Sequence, residues 1–260
     1  MQSIVSLITG AGSGLGRSIA KEFARRGAFV GVSDFHLGSA TTVAEEIVSA
    51  GGKAVPIPLD VSDEAAVQAA FRTLSTASGS HVNSVVNNAG HQHITALADC
   101  ELVAWRKMLA VHLDGPFLCT REMLRQYRAQ GLHGGSVIFI GSVHSKEASP
   151  EKSPYVTAKH GVLGLCRATA KEAAAFGISS NTVCPGFVKT PLVEAQIPIL
   201  AQKNNMTPDE VVKGVMLRAT VDQKWTTEDD IAQTCAFLAS FPTNAITGQS
   251  IIVSHGWHME

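Results

Sequence analysis

Between Thr9 and Gly16 the chain reads T-G-A-G-S-G-L-G, and the setting of this run constrains the fold more than any other feature. It follows a short, apolar, β-branched segment from Ser3 to Ile8, which has the character of a buried strand. It leads at once into a helical pattern from Leu15 to Arg26 that stops at Gly27. A strand, a glycine turn and a helix in immediate succession aim backbone N–H groups and a helix N-terminus at a phosphate. Gly10, Gly14 and Gly16 give the spacing G-x-x-x-G-x-G, with Ser13 and Leu15 in the same turn. A glycine turn by itself marks only a turn; strand before and helix after make it a candidate dinucleotide site.

The next strand, Phe29 to Ser33, ends at Asp34, 20 residues past Gly14. A carboxylate there can accept hydrogen bonds from both hydroxyls of an adenosine ribose and would repel a 2′-phosphate. Neither Ser13 nor the neighbours Phe35 and His36 offers a strong fixed cation, so the expected cofactor is NAD rather than NADP.

The alternation of strand and helix then continues to the end of the chain. A helix is expected over 39–50 and a strand over 53–58, followed by Asp60 and Val61 at the strand's carboxyl end, near an adenine. Ser62 is the expected N-cap of the next helix, with acids in its first turn. A fourth strand, Val82 to Val86, runs into N-N-A-G, whose Asn88, Ala89 and Gly90 let a cofactor approach closely. A long helical region over 99–130 contains a distortion expected at Gly115-Pro116. Strands at Gly135 to Gly141 and Ile178 to Cys184 flank a helix running from Pro154 to about Gly177, and the sixth strand is followed by P-G-F-V-K-T-P. Residues 192–224 are less regular, with two or three amphipathic pieces, and suggest a substrate loop. A last helix spans Thr227 to Leu238 with a T-x-x-D start, and a final strand covers Gln249 to Val253. The expectation is therefore an α/β fold: one Rossmann-type doubly wound parallel sheet of about seven strands. It forms a single domain over residues 1–260, with a helical substrate lid at roughly 188–224. Ligands of such sheets bind at the carboxyl ends of the strands, where Gly10, Asp34, Asp60, Asn88, Ser142 and Pro185 converge.

The stretch Ser142 to Lys159 carries the candidate chemistry. Tyr155 and Lys159 are one helical turn apart, behind Ser153 as expected N-cap and Pro154 as first helical residue. A free phenol has a pKa of about 10. A neighbouring ammonium favours the phenolate, and a shift of two to three units needs about 3–4 kcal/mol. So tuned, with a cationic cofactor assisting, a tyrosine serves as general acid and base. Ser142, at the end of an apolar run, is placed to donate a hydrogen bond to a substrate oxygen. Y-x-x-x-K alone is a common spacing on ordinary surface helices; the surrounding motifs distinguish this one.

Composition narrows the alternatives. A net charge of −1 gives no support for a nucleic-acid or anionic-membrane partner. Five cysteines, widely spaced and odd in number, fit a reducing compartment rather than a disulfide framework. His91 and His93 lack accompanying carboxylates or thiols, so no metal site is expected. No uncharged apolar run approaches the ~18 residues of a membrane span, and residues 1–9 pass directly into the first strand. A cytoplasmic protein is expected.

T-G-A-G-S-G-L-G, N-N-A-G, Ser142, Y-V-T-A-K and P-G-F-V-K-T together resemble the short-chain dehydrogenase/reductase family, in order and over essentially the whole chain. The resemblance implies hydride transfer between a nicotinamide and a carbonyl or alcohol. It makes Tyr155 the acid/base, Lys159 its tuning cation and a holder of the nicotinamide ribose, and Ser142 the polarising donor. It places Pro185, Val188 and Thr190 at the cofactor, the last two at its carboxamide. H-Q-H after N-N-A-G, S-V-H-S-x-x-A-S-P-x-K-S-P-Y and C-P-G-F-V-K-T-P-L-V-E-A-Q-I are similar to the D-3-hydroxybutyrate dehydrogenase group within the family. That similarity implies that Gln92, His144, Lys152 and Gln196 bind the carboxylate of a small hydroxy acid, (R)-3-hydroxybutyrate being oxidised reversibly to acetoacetate. Charge-assisted hydrogen bonds suit a substrate with so little apolar area. The alternatives are another small hydroxy acid or secondary alcohol as substrate and, in a different class, a non-catalytic NAD sensor.

Three departures stand out. His112 occupies the place of an asparagine that the family uses to hold a relay water, and an imidazole can hold one as well. Phe187 stands where a tryptophan is common, leaving room for a slightly larger acid. The ending S-H-G-W-H-M-E departs from V-D-G-G-W, with His255 directed either at a neighbouring subunit or at a wall of the cofactor site. The resemblance also implies a homotetramer joined through the helices of 99–130 and 154–176.

Overall fold

Seven parallel strands form one sheet in the order β3-β2-β1-β4-β5-β6-β7, in a computed structural model that describes residues 4–260. Ser3, the expected first residue of the opening strand, lies outside the described residues. The strands are β1 (Val5–Thr9), β2 (Phe29–Asp34), β3 (Lys53–Pro58), β4 (Ser84–Asn87), β5 (Gly135–Ile140), β6 (Ile178–Pro185) and β7 (Ser250–Val253). Helices α1 (Gly14–Arg25), α2 (Leu37–Ser49) and α3 (Glu64–Ser78) connect the first four strands. The chain order runs outward from β1 to β3 and then restarts at β4 beside β1. The strand order reverses there, and a crevice opens between neighbouring loops.

Both faces of the sheet are covered, which accounts for nearly continuous apolar strands. One core joins Ile8, Val30, Val32 and Ile138 to Ile19, Phe23, Val43 and Ile47. The other joins Leu7, Val85, Val137 and Phe139 to Phe71, Leu74, Met123 and Tyr127.

Several helix ends lie one residue from their expected places. Asp63, not Ser62, caps α3: its carboxylate accepts hydrogen bonds from the N–H groups of Ala65 and Ala66. Ser62 instead donates its hydroxyl to Asp60 at 2.6 Å. The long helical region divides into α4 (Leu102–Leu109), a π-helical turn at Ala110–Asp114, and α5 (Gly115–Gln130). The distortion expected at Gly115-Pro116 thus sits in the turn just before them. Pro116 has no N–H and its ring crowds the carbonyl four residues back. Gly115 N–H reaches Ala110 O instead, widening the turn around His112.

The helix α6 (Ser153–Glu172) starts one residue earlier than expected, so Lys152 takes the N-cap position and Ser153 is the first helical residue. In the lid region, α7 (Pro191–Glu194), α8 (Gln196–Asn204) and α9 (Pro208–Val211) lead into a π-helical turn at Val212–Met216. These pieces have a small core of their own: Ala201, Val211 and Met216 packed against Phe187, Leu200 and Trp225. The last helix, α10 (Glu228–Ala239), has the expected start, with Thr227 and Asp230 forming a capping box.

Candidate active site

The glycine turn is built for close approach. A Cβ on Gly16 would lie 2.2 Å from the carbonyl oxygen of Gly10, so no side chain fits there. Ser13 takes the N-cap position of α1 but its side chain caps nothing, leaving the first N–H groups of the helix directed at the crevice. The N-N-A-G loop is bolted to the same turn. Thr9 Oγ1 accepts from the N–H groups of Asn88 and Ala89, and Asn88 Nδ2 donates to the carbonyls of Thr9 and Gly10 at 2.8 and 3.1 Å. At the end of β2, Asp34 receives hydrogen bonds from Gly12 N and His36 N, each 3.0 Å. This spends part of its accepting capacity on ordering the turn and leaves the remainder facing the cleft.

A cleft of about 820 Å³ runs along these carboxyl ends, a volume suited to a cofactor and a small substrate. Its walls include every residue assigned to the cofactor from sequence: Gly10, Ser13, Gly14, Leu15, Gly16, Asp34, Asp60, Val61, Asn88, Ala89, Gly90, Tyr155, Lys159, Pro185, Val188 and Thr190. Ser142, His112, Gln92 and Gln196 line it too. The enclosed glycine turn and the free helix N-terminus fit a dinucleotide pyrophosphate.

Around the reacting centre, β5 delivers Ser142 and the first turn of α6 delivers Tyr155. Ser142 caps a short 3₁₀ turn, its Oγ accepting from His144 N at 3.1 Å. Its hydrogen bond to Tyr155 favours the phenolate, but enclosure of the phenol outweighs this and pushes Tyr155 up to about 12. Lys159 is only 5% exposed. Its Nζ lies 5.5 Å from the centre of the Tyr155 ring and donates to the Ile140 carbonyl at 2.6 Å. Burial lowers the ammonium to about 8. Desolvation thus works against both charged forms, and the expected tuning of Tyr155 by Lys159 depends on the assisting charge of the cofactor.

His112, 4% exposed, sits edge-on to Tyr155 with ring centres 5.5 Å apart. Its Nε2 lies 2.9 Å from His91 N and 2.8 Å from His91 O, while its buried Nδ1 has no partner among the described residues. Burial, reinforced by the Lys159 charge, holds it well below the usual histidine range, so the ring is neutral.

The expected carboxylate-binding set divides in two. Gln92 and Gln196 line the cleft, whereas His144, Lys152 and Phe187 form an adjoining aromatic and cationic cluster. His144 is 4% exposed. Its Nε2 lies 2.7 Å from Ser149 Oγ and its Nδ1 3.3 Å from Ser142 Oγ. Burial, followed by the charge of Lys152, lowers it to about 4. Lys152 Nζ stands 5.6 Å from the centre of the Phe187 ring and is itself lowered by burial.

Sequence reasoning missed three contributors. Trp257 stacks on Phe187 at 4.8 Å between ring centres and meets His144 edge-on at 5.8 Å. An aromatic ring therefore stands against Phe187, where a smaller side chain had suggested open room. His91 and Lys107 also line the cleft. His255, left open from sequence, is not part of the cleft wall: its Nδ1 pairs with Asp222 Oδ2 at 3.0 Å. Among the described residues, no group of three or more His, Cys, Asp or Glu side chains could hold a metal. All five cysteines are free. No helix among these residues is long and apolar enough to cross a membrane.

Comparison with known proteins extends this geometry to the whole chain. The family described as Enoyl-(Acyl carrier protein) reductase matches residues 10–258. A D-beta-hydroxybutyrate dehydrogenase of Rhizobium meliloti is 33% identical, covering 97% of each chain. A 3-oxoacyl-[acyl-carrier-protein] reductase of Staphylococcus aureus is 34% identical, covering 98% of each. Among solved structures, sorbitol-6-phosphate 2-dehydrogenase from Erwinia amylovora superposes with a TM-score of 0.93 at 30% identity, over 98% of this chain and 100% of that one. A tryptophan-substituted variant of actinorhodin polyketide ketoreductase, solved with NADPH, gives 0.91 at 27% identity, over 98% and 97%. Relatives that share the fold over nearly the full length are named as oxidoreductases of different substrates, and this chain belongs with them to the short-chain dehydrogenase/reductase family, whose Rossmann fold binds a nicotinamide cofactor.

Proposed function

We propose that the protein catalyses the reversible, NAD-dependent oxidation of (R)-3-hydroxybutyrate to acetoacetate. The observation that carries this reading is the buried imidazole of His144 against Ser142 and Tyr155, with the half-buried Lys152 charge next to it. Two D-beta-hydroxybutyrate dehydrogenases at 33% and 32% identity support it. Asp34 at the ribose end of the cleft supports NAD, since its charge opposes a 2′-phosphate.

In the proposed reaction the bound nicotinamide supplies a two-electron acceptor for the hydride on C3. The residues of the chain hold the substrate and move its proton. Gln92, Gln196, Lys152 and His144 orient the carboxylate, with His144 exchanging its Ser149 contact for the substrate. Ser142 donates to the C3 oxygen, and Tyr155 Oη takes the hydroxyl proton as the C–H bond breaks. Because enclosure favours the neutral phenol, this role rests on Lys159 and Ser142 acting together with the positive charge of the oxidised cofactor. His112, through its unpartnered Nδ1, holds the water that carries the proton onward from Lys159. The lid helices close over the substrate and exclude water.

A second reading, oxidation of another small hydroxy acid or a secondary alcohol, is favoured by the apolar Phe187–Trp257 wall and by a cyclohexanol dehydrogenase among the relatives, at 33% identity. The experiment that decides is the appearance of reduced nicotinamide with (R)-3-hydroxybutyrate, its (S) enantiomer, (R)-lactate and cyclohexanol, each with NAD and with NADP. Enantioselective reduction of NAD by the first substrate alone is expected. Turnover only with a neutral alcohol would retire the carboxylate site.

The exposed apolar side chains of Leu102 and Val103 on α4 and Phe117 on α5 support assembly as a homotetramer through these helices. The molar mass in solution tests this. The free cysteines are consistent with a cytoplasmic location.

A further inference from the structure

We propose that the segment Ser254–Glu260 acts as a positioning strap that joins the catalytic loop to the lid and sets the substrate side of the cleft. The strap is fastened at three places. At its end, Glu260 Oε1 lies 2.5 Å from Lys146 Nζ, whose side chain is only 9% exposed, and Glu260 Oε2 accepts from Ser250 Oγ. Two residues earlier, His258 Nδ1 meets Glu147 Oε2 at 3.3 Å. Lys146 and Glu147 are consecutive in the loop that carries Ser142 and His144, so the two pairs, of opposite polarity, fix the register of the tail on that loop. On the lid side, Val221 N donates to His255 O at 2.9 Å and Asp222 pairs with His255. A Cβ on Gly256, whose φ is +75°, would lie 2.7 Å from Val221 Cγ1, so the tail's backbone packs directly on the Val221 side chain there.

Trp257 stands between the two anchor points. The turn that carries it is closed by its N–H to Ser254 O at 3.1 Å. Its ring can pack on Phe187 and His144 only while the tail is held on both sides. Lys146, Glu147, His258 and Glu260 are then positioning residues that reach the substrate through Trp257. They hold the Phe187–Trp257 wall that adjoins His144 and Lys152, and with it the length of carbon chain that fits.

The kinetic consequence rests on the function proposed above; the structural one does not, and the test separates them. In the chain loaded with NAD, removal of His258–Glu260 should speed amide hydrogen exchange about tenfold in both 142–152 and 216–225, while the glycine-turn segment 9–16 is unchanged. Unchanged exchange in both segments would overturn the strap. The single variants Glu260→Gln and Lys146→Met provide the same reading should the shortened chain not fold. With (R)-3-hydroxybutyrate as probe, both variants should raise KM about tenfold, the scale of one lost charge-assisted hydrogen bond, with kcat within about twofold. The exchanged pair Lys146→Glu/Glu260→Lys should restore it. Equal loss of kcat and no rescue would show a merely structural end. If the parent chain does not turn over this substrate, the function proposed above fails while the exchange measurement still decides the strap.

Discussion

The two halves of the cleft are built differently. The cofactor half is assembled from consecutive pieces: β1, the glycine turn and α1, then the ends of β2 and β4, bolted together through Thr9 and Asn88. Its polar atoms meet across the ends of neighbouring strands, Thr9 and Asn88 being far apart in sequence, and line the groove. The substrate half draws on segments far apart in sequence: the loop after β5, the turn after β6, the lid helices and the C-terminal tail. There the partners are aromatic faces and buried cations, held by tertiary packing. The cofactor half is fixed by hydrogen bonds between neighbouring strand ends, the substrate half by packed side chains. The sorbitol-6-phosphate 2-dehydrogenase structure shares the fold over nearly the whole chain, both halves included.

Four substitutions test this contrast. Tyr155→Phe, at the seam of the two halves, should cost about 10³-fold or more in kcat, the scale of general acid–base catalysis, with NAD affinity retained. Substantial residual turnover would remove Tyr155 from the chemistry.

The second change concerns the buried charge of Lys159. Its pKa falls from 10.5 in the unfolded chain to about 8 in the fold, so between these values the unfolded state binds more protons. Stability associated with Lys159 is thus present above pH 10.5 and lost as pH falls through 8. Relative to Lys159→Met, the parent chain should gain up to about 3 kcal/mol on going from pH 8 to 10.5, at about 1.36 kcal/mol per pH unit. Denaturant unfolding of both proteins at several pH values measures it, and a flat difference would contradict the burial argument.

The third and fourth changes test whether the halves are separable. Asp34→Ala should raise the KM for NAD about 30-fold, since it removes an ionised acceptor and loosens Gly12, with little change in the KM for the hydroxy acid. Lys152→Met should do the reverse, raising the KM for the acid about tenfold, the loss of one charge-assisted contact. Crossed effects of comparable size in either variant would show that the cleft behaves as one unit.

Much of the fold was legible because its signals are local. Strand, glycine turn and helix succeed one another at fixed spacing, and Thr227–Asp230 marks the start of α10 by a hydrogen-bond pattern confined to four residues. Errors of one residue arose where two neighbours were both competent. Ser62 and Asp63 can each cap a helix, and only the backbone path decided that Asp63 does. Pro116 announced a distortion, but its effect falls on the carbonyls before it, which moved the widened turn onto His112. Trp257 gave no signal of its own, because its partners Phe187 and His144 are brought to it by two different strand ends.

The amino-acid sequence by itself determined the order of strands and helices, the closeness of the glycine turn and the identities of the residues at the carboxyl edge of the sheet. Backbone hydrogen bonding and side-chain periodicity are set by neighbours in the chain, and reading neighbours suffices for them. The fold as a whole decided that Lys159 points its ammonium at Ile140, that enclosure raises the phenol of Tyr155, and that the residues expected to hold a carboxylate split between a cleft and an aromatic cluster. Those outcomes depend on how much water the rest of the chain removes from each group, and desolvation is a property of the packed whole.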